Sequence, residues 1–179
     1  MKFNRKDKTL ETERLLLRLF TEADAEQVQF LCDNINIYKS TLNLPFPYSL
    51  QCALSWIANH EQNYTEDKLY EFAITDKKNG ELYGAIALSN QRLHRNGEIA
   101  YWIGEPFWGN GYATEAAQAM LDFAFEEKNY HRVYARYFKS NPASGKIMKK
   151  CGMVYEGTLK DHVYKTDRYE DLIYYGIIK

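Results

Sequence analysis

Gly109, Asn110 and Gly111 stand between an alternating apolar segment, Glu98 to Ile103, and a stretch from Ala113 to Ala124 whose apolar residues recur at helical spacing. Glycine has no β-carbon, so two of them let the backbone curl until successive N–H groups point into one concavity. The helix that follows adds its own unpaired N–H groups and the positive end of its dipole. Such a turn can hold a phosphate. Taken alone it reads equally as a surface connection between strand and helix. A dinucleotide fingerprint would put its third small residue at Thr114 and a ribose-binding acid about twenty residues further on, where the chain has Asn129. A P-loop would end in Gly-Lys-Ser/Thr, whereas this turn ends in Gly111-Tyr112-Ala113.

Four stretches together, Glu98 to Ala117, Asn141-Pro-Ala-Ser144, Lys150-Cys-Gly-Met-Val-Tyr-Glu-Gly157 and Glu11-Thr-Glu-Arg-Leu-Leu-Leu-Arg18, make the chain resemble the GCN5-related N-acetyltransferase (GNAT) superfamily. It is most similar to the branch holding the ribosomal-protein N-terminal acetyltransferases RimJ and RimL, and the resemblance covers nearly the whole chain. The superfamily signature is Arg/Gln-x-x-Gly-x-Gly/Ala. Here Trp108 stands where Arg or Gln is usual, Gly111 is the central glycine, and Ala113 closes the signature. The resemblance implies acetyl-CoA as cosubstrate and no metal. It implies Gly109, Asn110, Gly111, Tyr112, Ala113 and Thr114 for the pyrophosphate, Trp102 and Ile103 for the pantetheine arm, and Asn141 and Ser144 for the far side of the cleft. Asn141 also reads as an ordinary turn residue before a proline. Lys139, Lys146 and Lys149 are candidates for a 3′-phosphate contact and equally plain solvated lysines.

Acetyl transfer from a thioester to an amine needs a neutral amine and a stabilised thiolate. An α-amine costs roughly 1 kcal/mol to deprotonate at pH 7, and a lysine nearer 4.6 kcal/mol. By resemblance, Glu98 is the carboxylate that acts on the amine; its bland alternative is a strand-end glutamate on the solvent rim. His94 and Asp161 are further candidates. Many members of the superfamily carry a tyrosine seven residues beyond the asparagine to protonate the leaving sulfur, and this chain has Met148 there. A thiol is a good leaving group, so supplying its proton is worth only about 2 kcal/mol. Ser144 is the substitute donor, or else a helix-cap serine.

These groups need elements to hold them. Thr12 to Phe20 reads as a strand, and Thr21-Glu-Ala-Asp24 as a capping box opening a helix that runs to about Cys32. Leu44-Pro-Phe-Pro47 bars a helix, and a second begins at Ser49 with Leu50, Ala53, Leu54 and Ile57 on one side. Leu69 to Asp76, an Asn-Gly turn, and Glu81 to Asn90 predict a hairpin. Arg132 to Phe138 is a strand, Ala143 to Cys151 a short helix ended by Gly152, and Val154 to Leu159 with Tyr169 to Ile178 a closing antiparallel pair. The unit from Glu98 to Phe138 is a strand–helix–strand crossover, hence parallel. Ligands gather beyond the carboxyl ends of such strands, which puts the glycine turn and the loop from Lys139 to Ser144 on one rim. The expected fold is a single α/β domain over residues 9–179, a GNAT fold whose mixed, mostly antiparallel sheet splays at a parallel pair. Residues 1–8 read as a short, charged, frayed extension.

The chain has 179 residues, 45% of them hydrophobic, enough for one well-buried core. A net charge of −1 implies no bulk attraction to nucleic acid or an anionic membrane. Cys32, Cys52 and Cys151 are odd in number and without metal spacing, which fits free thiols and a cytoplasmic location. The expected acceptor is a protein N-terminal, ribosomal-protein-like amine, and the expected state a monomer or homodimer. An aminoglycoside or polyamine is the alternative, with Glu61, Glu66, Asp67 and Glu71 able to line its pocket. A non-catalytic CoA-binding sensor is the alternative of another class. Tyr38, Tyr48, Tyr64, Tyr164, Tyr169, Trp56 and Phe46 are candidates for the acceptor wall, more ordinarily packing residues. His60, His131 and His162 read as satisfied structural histidines.

Overall fold

The computed structural model describes residues 1–179. Nine strands, β1 (Lys2–Asn4), β2 (Thr9–Glu11), β3 (Leu15–Leu19), β4 (Leu69–Asp76), β5 (Leu82–Ser89), β6 (Asn96–Ile103), β7 (Arg132–Phe138), β8 (Val154–Lys165) and β9 (Arg168–Ile178), form one sheet in the order β1-β2-β3-β4-β5-β6-β7-β9-β8. Helices α1 (Ala25–Cys32), α2 (Ile35–Ser40), α3 (Leu50–Ile57) and α4 (His60–Thr65) precede β4; α5 (Tyr112–Asp122) joins β6 to β7, and α6 (Pro142–Lys150) joins β7 to β8. Strand alternation sends Leu15, Leu17, Phe72, Ile74, Ile86 and Leu88 to one core with Ala116, Ala117 and Met120 of α5. Ala73 and Ala85 face the other way, against Ala25 and Val28 of α1 and Ala53 and Ile57 of α3.

Every neighbouring pair is antiparallel except β6 and β7. That parallel pair extends over three registers only, Asn96↔Arg132, Gly97↔Val133 and Glu98↔Tyr134. Beyond Glu98, β6 stays with β5 as far as Ile103↔Gly84, while β7 stays with β9 as far as Phe138↔Leu172. A gap therefore opens between them from Glu98 towards the glycine turn.

Several elements differ from expectation. Residues 1–8 are not frayed: Phe3 pairs with Leu10 across β1 and β2, and its ring meets Phe123 edge-on at 5.2 Å. One aromatic in a three-residue strand leaves no period for sequence reasoning to find. The expected strand from Thr12 to Phe20 begins only at Leu15, as β3, because the Thr12 amide and hydroxyl both turn back to the Leu15 carbonyl; β2 precedes it, outside the expected range. Helices α2 and α4 span six residues each, too short to show a helical period. At the start of α1 the Asp24 carboxylate accepts from the Thr21 N–H at 2.8 Å, and Ser49 caps α3 through the Cys52 amide at 3.2 Å.

Candidate active site

The glycine turn is fixed from outside by side chains. Gly109 and Gly111 lie at φ 81° and 82°, the left-handed region that favours glycine. The Asn110 amide nitrogen donates to the carbonyls of Phe107 at 3.0 Å and Trp108 at 3.2 Å, and Arg14 Nη1 donates to the Asn110 carbonyl at 2.9 Å. Arg14 is itself held by Glu115 through Nε at 2.7 Å. Trp108, in place of the usual Arg or Gln, donates its indole N–H to the Ile103 carbonyl at 2.6 Å and so ties the turn to the end of β6. The backbone amides of Gly109, Asn110, Gly111, Tyr112, Ala113 and Thr114 find no acceptor in the protein; the next amide, Glu115, bonds the Gly111 carbonyl at 3.1 Å. Six successive donors thus stand unpaired at the positive end of α5, which suits a phosphate group. Beside them lies a depression of ≈ 680 Å³ lined by Thr12, Arg14, Gly111, Thr114 and Lys150, among others. Another cavity, ≈ 220 Å³, is lined by Asp67, Arg92, Arg95 and Lys128 near the start of β6 and takes no part in the gap.

Glu98 is the last residue of the parallel ladder, where the gap begins. Its side chain is 20% exposed, and one oxygen accepts from Arg136 Nε of β7 at 2.7 Å. Burial works to lower the Arg136 pKa, but the bond to Glu98 and its charge outweigh burial and raise it. The second Glu98 oxygen has no partner in the protein. Alternation places Glu98, Ala100 and Trp102 on the face of α1 and α3, and Ile99, Tyr101 and Ile103 on the face of α5 and α6.

Ser144, in the first turn of α6, does not cap its helix. Its Oγ lies 2.9 Å from the Tyr101 hydroxyl, which also lies 3.1 Å from the Ser144 carbonyl oxygen, so Tyr101 spans the gap from β6 to α6. Burial pushes the Tyr101 phenol well above its ordinary pKa, opposed by the Ser144 bond. Sequence reasoning missed Tyr101, since only the seating of α6 brings a partner to its hydroxyl. Met148, one turn beyond Ser144, is buried in the core. The Asn141 side chain makes no cap bond, although Asn141 occupies the N-cap position.

Other expected residues are dispersed. The Trp102 carbonyl is turned towards β5, where a β-carbon on Gly84 would collide with it, so only the indole of Trp102 can address the cleft. The Ile103 carbonyl is taken by Trp108. His94 lies in the turn before β6 and Asp161 at an irregularity of β8. Lys139 pairs with Asp171 at 3.1 Å. Tyr48 is buried, and Tyr64 packs against Tyr70 and Phe72. Tyr164 and Tyr169 are exposed and meet each other at 5.2 Å. Glu61, Glu66 and Asp67 are paired with Lys8, Lys68, and Arg92 and Lys128 respectively. His60 is not satisfied: it is buried and neither ring nitrogen has a hydrogen-bond partner. The three cysteines are free, and burial pushes Cys32 up to about 12 and Cys151 up to about 11.

Residues 14–154 match the sequence profile of the acetyltransferase (GNAT) domain. The uncharacterized N-acetyltransferase YoaA of Bacillus subtilis is 32% identical over 174 residues, 95% of this chain and 96% of that one. The ribosomal-protein-serine acetyltransferase of Escherichia coli is 26% identical over 152 residues, 84% of each. The ribosomal alpha-N-protein acetyltransferase RimL, solved in complex with coenzyme A, superposes with a TM-score of 0.87 at 18% identity, covering 95% of this chain and 97% of that one. Nine strands splayed at one parallel pair, and relatives matched along nearly their full length, assign this chain to the GNAT family of acetyl-CoA-dependent N-acetyltransferases.

Proposed function

We propose that this enzyme acetylates the α-amine of a protein N-terminus, with Glu98 as base and Ser144 as the donor to the leaving sulfur. The observation that supports this reading most is the six unpaired amides from Gly109 to Thr114, beside a gap whose two faces carry different chemistry. The amides grip the coenzyme pyrophosphate, and acetyl-CoA supplies an activated acetyl group along the gap. Asn141 borders the far side, and the Trp102 indole and Ile103 border the near one. From the α1 and α3 face, the free Glu98 oxygen takes the proton of the attacking amine. From the opposite face, the Ser144 hydroxyl, held beside Tyr101, donates a hydrogen bond to the sulfur, which leaves as the thiolate as the carbon–sulfur bond breaks. Base and donor then act on opposite sides of the reacting carbonyl and do not neutralise each other. With one Glu98 oxygen committed to Arg136, a substrate needing only about 1 kcal/mol for deprotonation suits the site better than a lysine side chain. The E. coli relative named for a ribosomal protein serine points to the same acceptor class.

Incubation of N-terminal peptides with labelled acetyl-CoA, read by intact mass and by thiol release, tests the proposal. Acetylation at the α-amine is expected. Glu98→Gln should lower kcat roughly 100-fold with coenzyme affinity kept, most visibly below the pKa of the acceptor. Label found only on lysine side chains or small amines would remove the acceptor assignment. Tight coenzyme binding without thiol release from any amine would remove the enzymatic reading of these residues.

A further inference from the structure

A carboxylate with no hydrogen bond lies on the acceptor side of the sheet. Glu71 of β4 has a side chain 9% exposed, and its nearest polar neighbour is His60 Nε2 at 3.3 Å, outside hydrogen-bond geometry. The His60 ring is 1% exposed and wedged between Phe20 at 5.3 Å and Trp56 at 4.6 Å, with both nitrogens unsatisfied. A carboxylate largely withdrawn from water is best met by a cation or by several donors. The cations of this face are engaged elsewhere: Arg18 with Asp24 at 2.7 and 2.8 Å, and Arg136 with Glu98. Glu71 therefore has no Lys or Arg partner, and His60 is its one polar neighbour.

The register shows what it faces. Glu71 pairs with Ala87 of β5, and Ala87 pairs with Ala100 of β6, which lies between Glu98 and Trp102 on the same face. Ala87 is half-buried and Ala100 exposed, so nothing larger than a methyl group stands on the sheet between Glu71 and the gap. Adjacent strands are about 4.8 Å apart, which puts the Glu71 backbone roughly 10 Å from β6. Trp56 and Trp102, with ring centroids 6.4 Å apart, flank this floor, and indole faces attract alkylammonium groups.

We propose that Glu71, backed by His60 and flanked by Trp56 and Trp102, is a subsite for a second alkylammonium group on the acceptor, distinct from the amine that is acetylated. This rests on the acetyltransferase reading above and adds a specificity to it. The second charge belongs either to a basic side chain next to the N-terminal residue of a peptide or to the far end of a small diamine.

Two matched pairs separate these sources: peptides beginning Ser-Lys against Ser-norleucine, and 1,4-diaminobutane against 4-aminobutan-1-ol. For wild type, kcat/KM should be at least tenfold higher for the dication of one pair, and that pair identifies the source. In Glu71→Gln the dication-to-monocation ratio should fall at least tenfold, whereas Glu71→Asp, which keeps the charge, should retain part of the preference. Ratios near one for both pairs in wild type would overturn the subsite without using any variant. An equal ratio in wild type and a folded Glu71→Gln would overturn it as well. If wild type turned over no acceptor at all, the acetyltransferase assignment of these residues would fail. Calorimetric titration with the four probes would then read the subsite directly: tenfold weaker dication binding in Glu71→Gln supports it, and equal binding sinks it.

Discussion

At the scale of single residues, position 148 holds a buried methionine, and the tyrosine that reaches the first turn of α6 comes from β6 instead. The Tyr101 hydroxyl lies 2.9 Å from Ser144 Oγ and 3.1 Å from the Ser144 carbonyl oxygen, and so joins β6 to the serine proposed as donor. Tyr101→Phe should lower kcat about tenfold, a loss of about 1.4 kcal/mol, with little change in the KM for acetyl-CoA. In the proposed role Tyr101 acts through Ser144, so the same substitution made in Ser144→Ala should cost almost nothing further; full additivity in this double-mutant cycle would refute the coupling. Glu98 and Ser144 are candidates from motif position alone; the structure puts Glu98 where the gap begins and Ser144 beside Tyr101. The sequence could not expose Tyr101 or Glu71, because strand alternation gives the face of a side chain but not the element that comes to rest on it. His60 was misread for the same reason: an orphaned ring nitrogen is visible only once the neighbours are known.

At the scale of elements, the glycine turn separates two effects that one substitution would confound. A β-carbon on Gly111 would meet nothing closer than Arg14 Nη2 at 3.5 Å, so its cost is conformational, set by φ 82°. Gly111→Ala should lose about 1 kcal/mol of stability and keep most of its coenzyme affinity. Gly111→Glu adds a negative charge beside the six amides, and should weaken coenzyme binding by a further tenfold or more in calorimetric titration. Equal affinity in the two variants would contradict a phosphate site here. Long periodic elements were legible: α5, the β4–β5 hairpin and β7 fall where their patterns put them. Short ones were not, since α2, α4 and β1 owe their shape to what they pack against. The end of the β6–β7 pairing, which makes the gap, likewise left no trace in composition or period.

At the scale of the whole molecule, one carboxylate ties together three segments distant in sequence. Asp67, just before β4, accepts from Tyr70, from Arg92 at 2.9 Å, and from Lys128 beyond α5 at 2.7 Å. Burial works to raise its pKa, but these bonds outweigh it and hold Asp67 at about 2. A carboxyl whose folded pKa lies below its unfolded one adds stability that is complete above the unfolded value and is lost as pH falls towards the folded one. The stability difference between wild type and Asp67→Asn should therefore be constant above about pH 5 and shrink between about pH 4 and 2, as urea melts would show. A difference unchanged at low pH would mean that Asp67 acts by shape and not by charge. The three-register parallel ladder bears on the molecule in another way. It makes the sheet two stiff plates, β1 to β6 and β7 to β9, joined along one short seam at the foot of the cleft. In the proposed site the coenzyme would lie between the turn on one plate and the start of α6 on the other, and would bridge the two where no strand pairing does.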